Sequence, residues 1–122
     1  MTDKPRVIVV DDEIILLLDL TDQLTEAGYH VQPVTTARGA LSLIDSATEA
    51  LVTDIELPGN YSGLQLAKLA AKLRPNLPIV VVSGGVKPAA SDLPPGAVFI
   101  QKPYRVEAIM AAISRQRDAK AA

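Results

Sequence analysis

The chain has 122 residues, 48% of them hydrophobic, with no Cys and no Trp; that allows one domain with an aliphatic core and excludes disulfides, thiolate metal sites and cysteine nucleophiles. Its 14 acidic and 12 basic residues leave a net charge of −2, which gives neither nucleic acid nor an anionic membrane a reason to bind, and an aromatic content of 3% argues against base stacking. The polar start Met1–Arg6 carries no signal-peptide pattern, and an apolar run such as Ile14–Leu18 is far too short to span a bilayer, so a cytoplasmic protein is expected.

Arg6–Val10 is a continuous β-branched run, as suits a strand buried on both faces. Glu13–Ala27 reads as a helix, closed by Gly28 at C′. Within it, Ile14 to Leu18 is more apolar than one helix face can bury. A stripe through Leu16, Leu17, Leu20 and Leu24 leaves Ile15 and Leu18 nearer the surface. Tyr29–Val34 predicts a second strand, and Thr36 a cap for a helix reaching Ser46. Ala50–Ile55 predicts a third strand, followed by a loop of turn residues from Pro58 to Gly63. Gly63–Arg74 reads as a helix stopped by Pro75, Pro78–Val82 and Val98–Gln101 as the last two strands, and Tyr104–Arg117 as the closing helix.

Between the fourth and fifth strands the pattern breaks. Residues 84–97 hold Gly84, Gly85, Pro88, Pro94, Pro95 and Gly96, which leave room for a short turn around Ala89–Leu93 in place of a helix. Strands alternating with helices imply a parallel sheet covered on both faces. With neither repeat nor linker, residues 1–122 are expected to form a single free-standing domain with a core of about 5–117.

Polar residues collect at the carboxyl ends of the strands. Asp11-Asp12-Glu13 follow the first, Thr53-Asp54 end the third, Ser83 ends the fourth, and Lys102-Pro103 follow the fifth. In open parallel sheets ligands bind outside these ends, where the strand order reverses. If the first and third strands are neighbours there, Asp11, Asp12 and Asp54 share one pocket. Carboxylates so close repel unless a cation sits among them. An oxygen-only set favours Mg²⁺, Ca²⁺ or Mn²⁺ over Zn²⁺, and Mg²⁺ characteristically reserves a position for a phosphate oxygen. A carboxylate can itself accept a phosphoryl group, with Lys102 as a second positive charge and Ser83 as a hydroxyl donor.

This set resembles the receiver domain of two-component response regulators: Asp11-Asp12-Glu13, Asp54 with Pro58 four residues on, Ser83, and Lys102-Pro103, spread over Arg6 to about Ser114. The resemblance implies a doubly wound five-stranded parallel sheet of order 2-1-3-4-5, flavodoxin-like, here with its fourth helix shortened or missing. It implies that Asp54 is phosphorylated by a histidine kinase or phosphotransfer protein. Asp12 and Asp54 would hold Mg²⁺ directly, with the backbone carbonyl of Glu56, and Asp11 through water. Lys102 would pair with the phosphoryl group, Ser83 would swing toward it, and Phe99 would occupy the switching aromatic position. The Lys102–Pro103 bond would be cis, and Gly63 stands one position later than in many receivers. Ile15 and Leu18, nearer the surface, are either the excess of an over-apolar helix in a small core or, with Pro103, a docking face for the phosphohistidine partner, and the signal would pass to a downstream protein by contact. The family would catalyse only its own phosphorylation and dephosphorylation.

Other readings fit less well. A pseudo-receiver, binding partners without phosphorylation, would not need the intact acidic set and Lys102. A haloacid-dehalogenase-type phosphatase needs an Asp-x-Asp pair, which Asp11-Asp12 is not. A flavodoxin-type cofactor site would place phosphate against three acidic residues. Asp11 and Asp12 can also serve as caps for the following helix, and the single histidine, His30, falls at the start of the second strand, away from the acidic pocket.

Overall fold

Parallel strands and helices alternate through residues 4–121, the part of the chain that the computed structural model describes; the ends of the expected 1–122 span lie outside the described residues. The elements are β1 (Arg6–Val10), α1 (Ile14–Glu26), β2 (His30–Val34), α2 (Ala37–Leu43), β3 (Thr48–Asp54), α3 (Gly63–Leu73), β4 (Ile79–Ser83), β5 (Val98–Gln101) and α4 (Val106–Ala121). The sheet order is β2-β1-β3-β4-β5, all parallel. The chain reverses direction across the sheet between β1 and β3, which makes that boundary the switch point.

Two-residue periodicity sorts the strand side chains into two cores. Val7, Val9, Ala50, Val52, Val80 and Val82 face α1 and α4, where Leu17, Leu20, Leu24, Ile109, Ala112 and Ile113 close the layer. Ile8, Val10, Leu51, Ile79 and Val81 face the other way, against Ala37 and Ala40 of α2 and Leu66, Ala67 and Ala70 of α3. Central strands are buried on both faces, which is why they read as unbroken apolar runs. The edge strand β2 is half exposed and carries Pro33, a residue tolerated at an edge because it withholds an N–H.

Helix ends follow local chemistry. Gly28, at φ 104°, turns the chain after α1. Thr36 Oγ1 accepts the Gly39 N–H at 3.0 Å to start α2. Ser62 and Gln65 form a reciprocal capping box on α3. Beyond the caps, Arg74 clamps the far end of the sheet by donating to the carbonyls of Asp45 and Thr48. Buried Gln116 does the same for β4: its amide donates to Ile79 O at 2.9 Å and its carbonyl accepts the Ile79 N–H at 3.0 Å.

Several boundaries differ from the sequence reading. β3 begins at Thr48, two residues early, because the ladder to β1 slips between Arg6 and Val7 and carries Glu49 as the extra residue. α2 stops at Leu43, since Ile44 already has extended backbone. On α1 the buried line is Leu17, Leu20 and Leu24, and Leu16 is exposed rather than part of the stripe. At 100° per residue Leu16 stands off the line that Leu17, Leu20 and Leu24 share. The proline-rich stretch holds one turn of 3₁₀ helix, Ala90–Asp92.

Candidate functional site

Parallel register carries the acidic residues together. Val10 pairs with Thr53, so Asp11, one step past β1, stands beside Asp54 at the end of β3. Asp11 is held by its own backbone N–H to Val34 O, and its Oδ1 accepts the Glu13 N–H at 2.9 Å, an Asx turn that leads the chain into α1. Asp12 is exposed. One carboxylate oxygen from each of Asp11, Asp12 and Asp54 lies within 4.8 Å of the others.

Lys102 enters from the far side. Its backbone N–H donates to Ser83 O, its bond to Pro103 is cis, and its Nζ donates to Asp11 Oδ2 and Asp54 Oδ2, both at 3.1 Å. One ammonium bridging two buried carboxylates is the electrostatic centre of the site. Burial pushes the Asp54 carboxyl above its ordinary range, and the Asp11 charge adds to this; the hydrogen bond and charge of Lys102 offset only part. Burial pulls Lys102 down, but its bonds to Asp54 and Asp11 outweigh that and hold it above the ordinary lysine value. The two partners thus register the same shortage of positive charge: Lys102 has two anions to satisfy it, whereas each anion has half a cation. Burial, then Asp11, also raises the neighbouring Tyr104 hydroxyl. Three oxygen donors, no nitrogen or sulfur ligand and a shortage of positive charge fit a hard divalent cation such as Mg²⁺.

The loop after Asp54 is fixed by a backbone contact. Gly63 N–H donates to Ile55 O at 2.7 Å, and a Cβ on Gly63 would stand 1.7 Å from the Asp54 carbonyl oxygen. Only glycine lets α3 start this close to the strand end. Asp54 Oδ1 also accepts the Glu56 N–H at 3.3 Å. Asp12, Glu13, Asp54, Glu56, Gly84, Gly85 and Lys102 line an open cleft of about 300 Å³. Two larger grooves, one beside Thr36–Arg38 and Pro58–Tyr61 and one at the opposite end of the sheet, lack such a cluster.

The other anticipated residues distribute around this centre. Ser83 is buried at the end of β4 and its hydroxyl donates to Glu56 Oε1 at 2.8 Å. Phe99, partly buried on β5 opposite Val81, packs against the α2–α3 core layer. Ile15 is 82% and Leu18 54% exposed, with Ile14 and Leu16 beside them, and Pro103 is exposed. His30 is exposed at the start of β2, outside the acidic cluster. The sequence reading did not pair the Glu56 side chain with Ser83, and it overlooked the Tyr104 hydroxyl. No local signal marks that pairing: Glu56, two residues past Asp54, comes level with the end of β4 only when Asp54 pairs with Val82.

Comparison with known proteins gives one answer. Residues 7–114 match the family model described as the response regulator receiver domain. The transcriptional regulatory protein FixJ of Rhizobium meliloti is 35% identical over 122 residues, which cover 97% of this chain and 59% of FixJ. The chemotaxis protein CheY of Thermotoga maritima is 30% identical over 121 residues, covering 90% of this chain and 95% of CheY. The crystal structure of a response regulator receiver protein from Sinorhizobium medicae WSM419 superposes with a TM-score of 0.86 at 32% identity, over 97% of this chain and 98% of that one. The chain spans less than two thirds of FixJ's length.

Proposed function

The chain belongs to the response regulator receiver family of two-component systems, and on that premise we propose that it accepts a phosphoryl group on Asp54 from the phosphohistidine of a histidine kinase or phosphotransfer protein, in a reaction that needs Mg²⁺. Receiver domains of this family are phosphorylatable on aspartate and bind Mg²⁺ at an acidic pocket. The observation that supports Asp54 most directly is the Lys102 ammonium shared between Asp54 and Asp11 at the β1–β3 switch point.

Asp54 is buried, yet one face of it opens on the cleft, so a donor can approach while bulk water is thinned. A carboxylate oxygen of Asp54 forms a bond to phosphorus as the phosphorus–nitrogen bond of the donor breaks. The imidazole nitrogen keeps the electron pair and, protonated at its other nitrogen, leaves neutral. Lys102 balances charge on the phosphoryl oxygens, where such a transfer concentrates it. Asp12, Asp54 and the Glu56 carbonyl would hold Mg²⁺, with Asp11 acting through water; the ion supplies charge neutralisation at the phosphoryl oxygens. Hydrolysis reverses the modification, with water attacking phosphorus to return the Asp54 carboxylate and inorganic phosphate. In this reading the domain, with a core of about 5–117, catalyses nothing else, works in the cytoplasm and signals by binding a downstream protein. Ser83 and Phe99 are its switch residues, and Ile15, Leu18 and Pro103 its docking face. Among the described residues no helix is long and apolar enough to cross a membrane.

The test is intact mass after incubation with a small acyl phosphate, with and without Mg²⁺, beside Asp54→Ala. One phosphoryl mass that requires both Mg²⁺ and Asp54 is expected. A chain that neither gains the mass nor binds Mg²⁺ would be a pseudo-receiver, acting as a protein-interaction module alone.

A further inference from the structure

Ser83 is buried, and its hydroxyl is fully committed. It donates to Glu56 Oε1 at 2.8 Å and accepts the N–H groups of Val86 at 2.9 Å and Gly85 at 3.3 Å. Among the described residues none of the hydroxyl's hydrogen bonds goes to Asp54 or Lys102. A hydroxyl has one proton and can donate it to one acceptor at a time.

We propose that the Glu56 carboxylate is a latch on Ser83, holding its hydroxyl away from the phosphoryl site in the unmodified protein and releasing it when an anion arrives on Asp54. The inference rests on the phosphoacceptor reading of Asp54. The bond that must break is charge-assisted and therefore among the stronger side-chain bonds. Glu56 is otherwise an exposed residue, and its carboxylate lies beside Gly85, where a Cβ would stand 3.5 Å from Oε1. Ser83 thus engages a carboxylate at the rim of the same cleft that contains Asp54. An incoming phosphoryl dianion offers Ser83 a second acceptor and repels Glu56, which has water to turn into. Both effects act in one direction, so the equilibrium between latched and released Ser83 responds to the charge on Asp54. Glu56 acts here through Ser83 and is a positioning residue.

The experiment compares wild type, Glu56→Ala, Ser83→Ala and the double variant. The first readout is the rotamer of Ser83 in unmodified, metal-free protein, from NMR Hα–Hβ scalar couplings. A single rotamer is expected in wild type and rotamer averaging in Glu56→Ala; an unchanged single rotamer in Glu56→Ala overturns the latch. The second is affinity for beryllofluoride, a phosphoryl mimic, in the presence of Mg²⁺. Glu56→Ala should raise it about fivefold when Ser83 is present, the order expected for one partly exposed charge-assisted bond that no longer competes. In the Ser83→Ala background the gain should fall below about twofold. Equal gains in both backgrounds would mean that Glu56 acts by bare repulsion and would also overturn the latch. Failure of wild type to take up beryllofluoride at all counts against the phosphoacceptor reading, while the Ser83 rotamers still decide whether Glu56 holds that side chain.

Discussion

A Cβ on Gly63 would lie 1.7 Å from the carbonyl oxygen of Asp54, so the first residue of α3 and the last residue of β3 are packed backbone to backbone. No rotamer change can relieve that contact. Gly63→Ala should cost about 2–4 kcal/mol of stability, as overpacking against a rigid neighbour does, and should displace Asp54 enough to abolish its labelling by an acyl phosphate. Gly59→Ala is the contrast: Gly59 has φ 96° but nothing within 4 Å of its missing Cβ, so only the left-handed backbone cost of about 1–2 kcal/mol applies. Chemical denaturation of both variants checks the ordering.

Lys102→Ala removes the cation that bridges two buried carboxylates. At neutral pH without divalent cations, the variant should lose about 2–4 kcal/mol, because Asp11 and Asp54 are left facing each other uncompensated. Protonation of Asp54 relieves this, so the deficit should shrink as pH falls through its raised range. Denaturant melts at pH 7 and near pH 4.5 give the comparison; an equal deficit at both would mean that packing, not charge, is what Lys102 contributes.

Asp54 itself predicts a pH dependence. Its carboxyl is raised in the folded protein by burial first and by the Asp11 charge, so between the ordinary carboxylate range and that raised value the folded state binds more protons than the unfolded state. In metal-free protein, this group therefore makes stability fall as pH rises through that window. Asp54→Asn should remove that component and melt higher than wild type at pH 7 in chelator. Adding Mg²⁺ should raise the wild-type melting temperature and move the Asn variant much less.

Gln116 holds both backbone groups of Ile79 from a buried position. Gln116→Leu keeps much of the volume but strands the Ile79 N–H, at a cost of about 1–3 kcal/mol, and takes one of two donors from the Ile79 C=O, whose ladder bond to β5 remains. A melting temperature lower by about 8–15 °C is expected, with acyl phosphate labelling at Asp54 retained below the new transition, because Ile79 lies at the opposite end of β4 from Ser83.

The exposed apolar end of α1 separates docking from chemistry. Ile15→Asp and Leu18→Asp replace residues that are 82% and 54% exposed, so the melting temperature should move by no more than about 2 °C. Transfer from a phosphohistidine protein should slow at least about tenfold, read by the rate at which the donor loses its phosphoryl group. Unchanged transfer would place the docking face elsewhere.

Much of this protein was determined by the sequence alone. Unbroken β-branched runs, Gly28 past α1, the Thr36 cap and the proline-rich 84–97 stretch are local signals, and they specified five strands, four helices and the collapse of the remaining helix to one 3₁₀ turn. Charged residues placed at strand ends also marked Asp11, Asp12, Asp54 and Lys102, because burying such groups has no structural return unless they meet one another. Tertiary structure decided what depends on register and on distance through space. The slip between Arg6 and Val7 moved the start of β3, and the helix phase removed Leu16 from the core. Pairing Asp54 with Val82 brought Glu56 to Ser83, and the backbone contact made Gly63 obligatory. A sequence records which groups are available for hydrogen bonding; which acceptor a buried hydroxyl takes is settled only when two strands are set side by side.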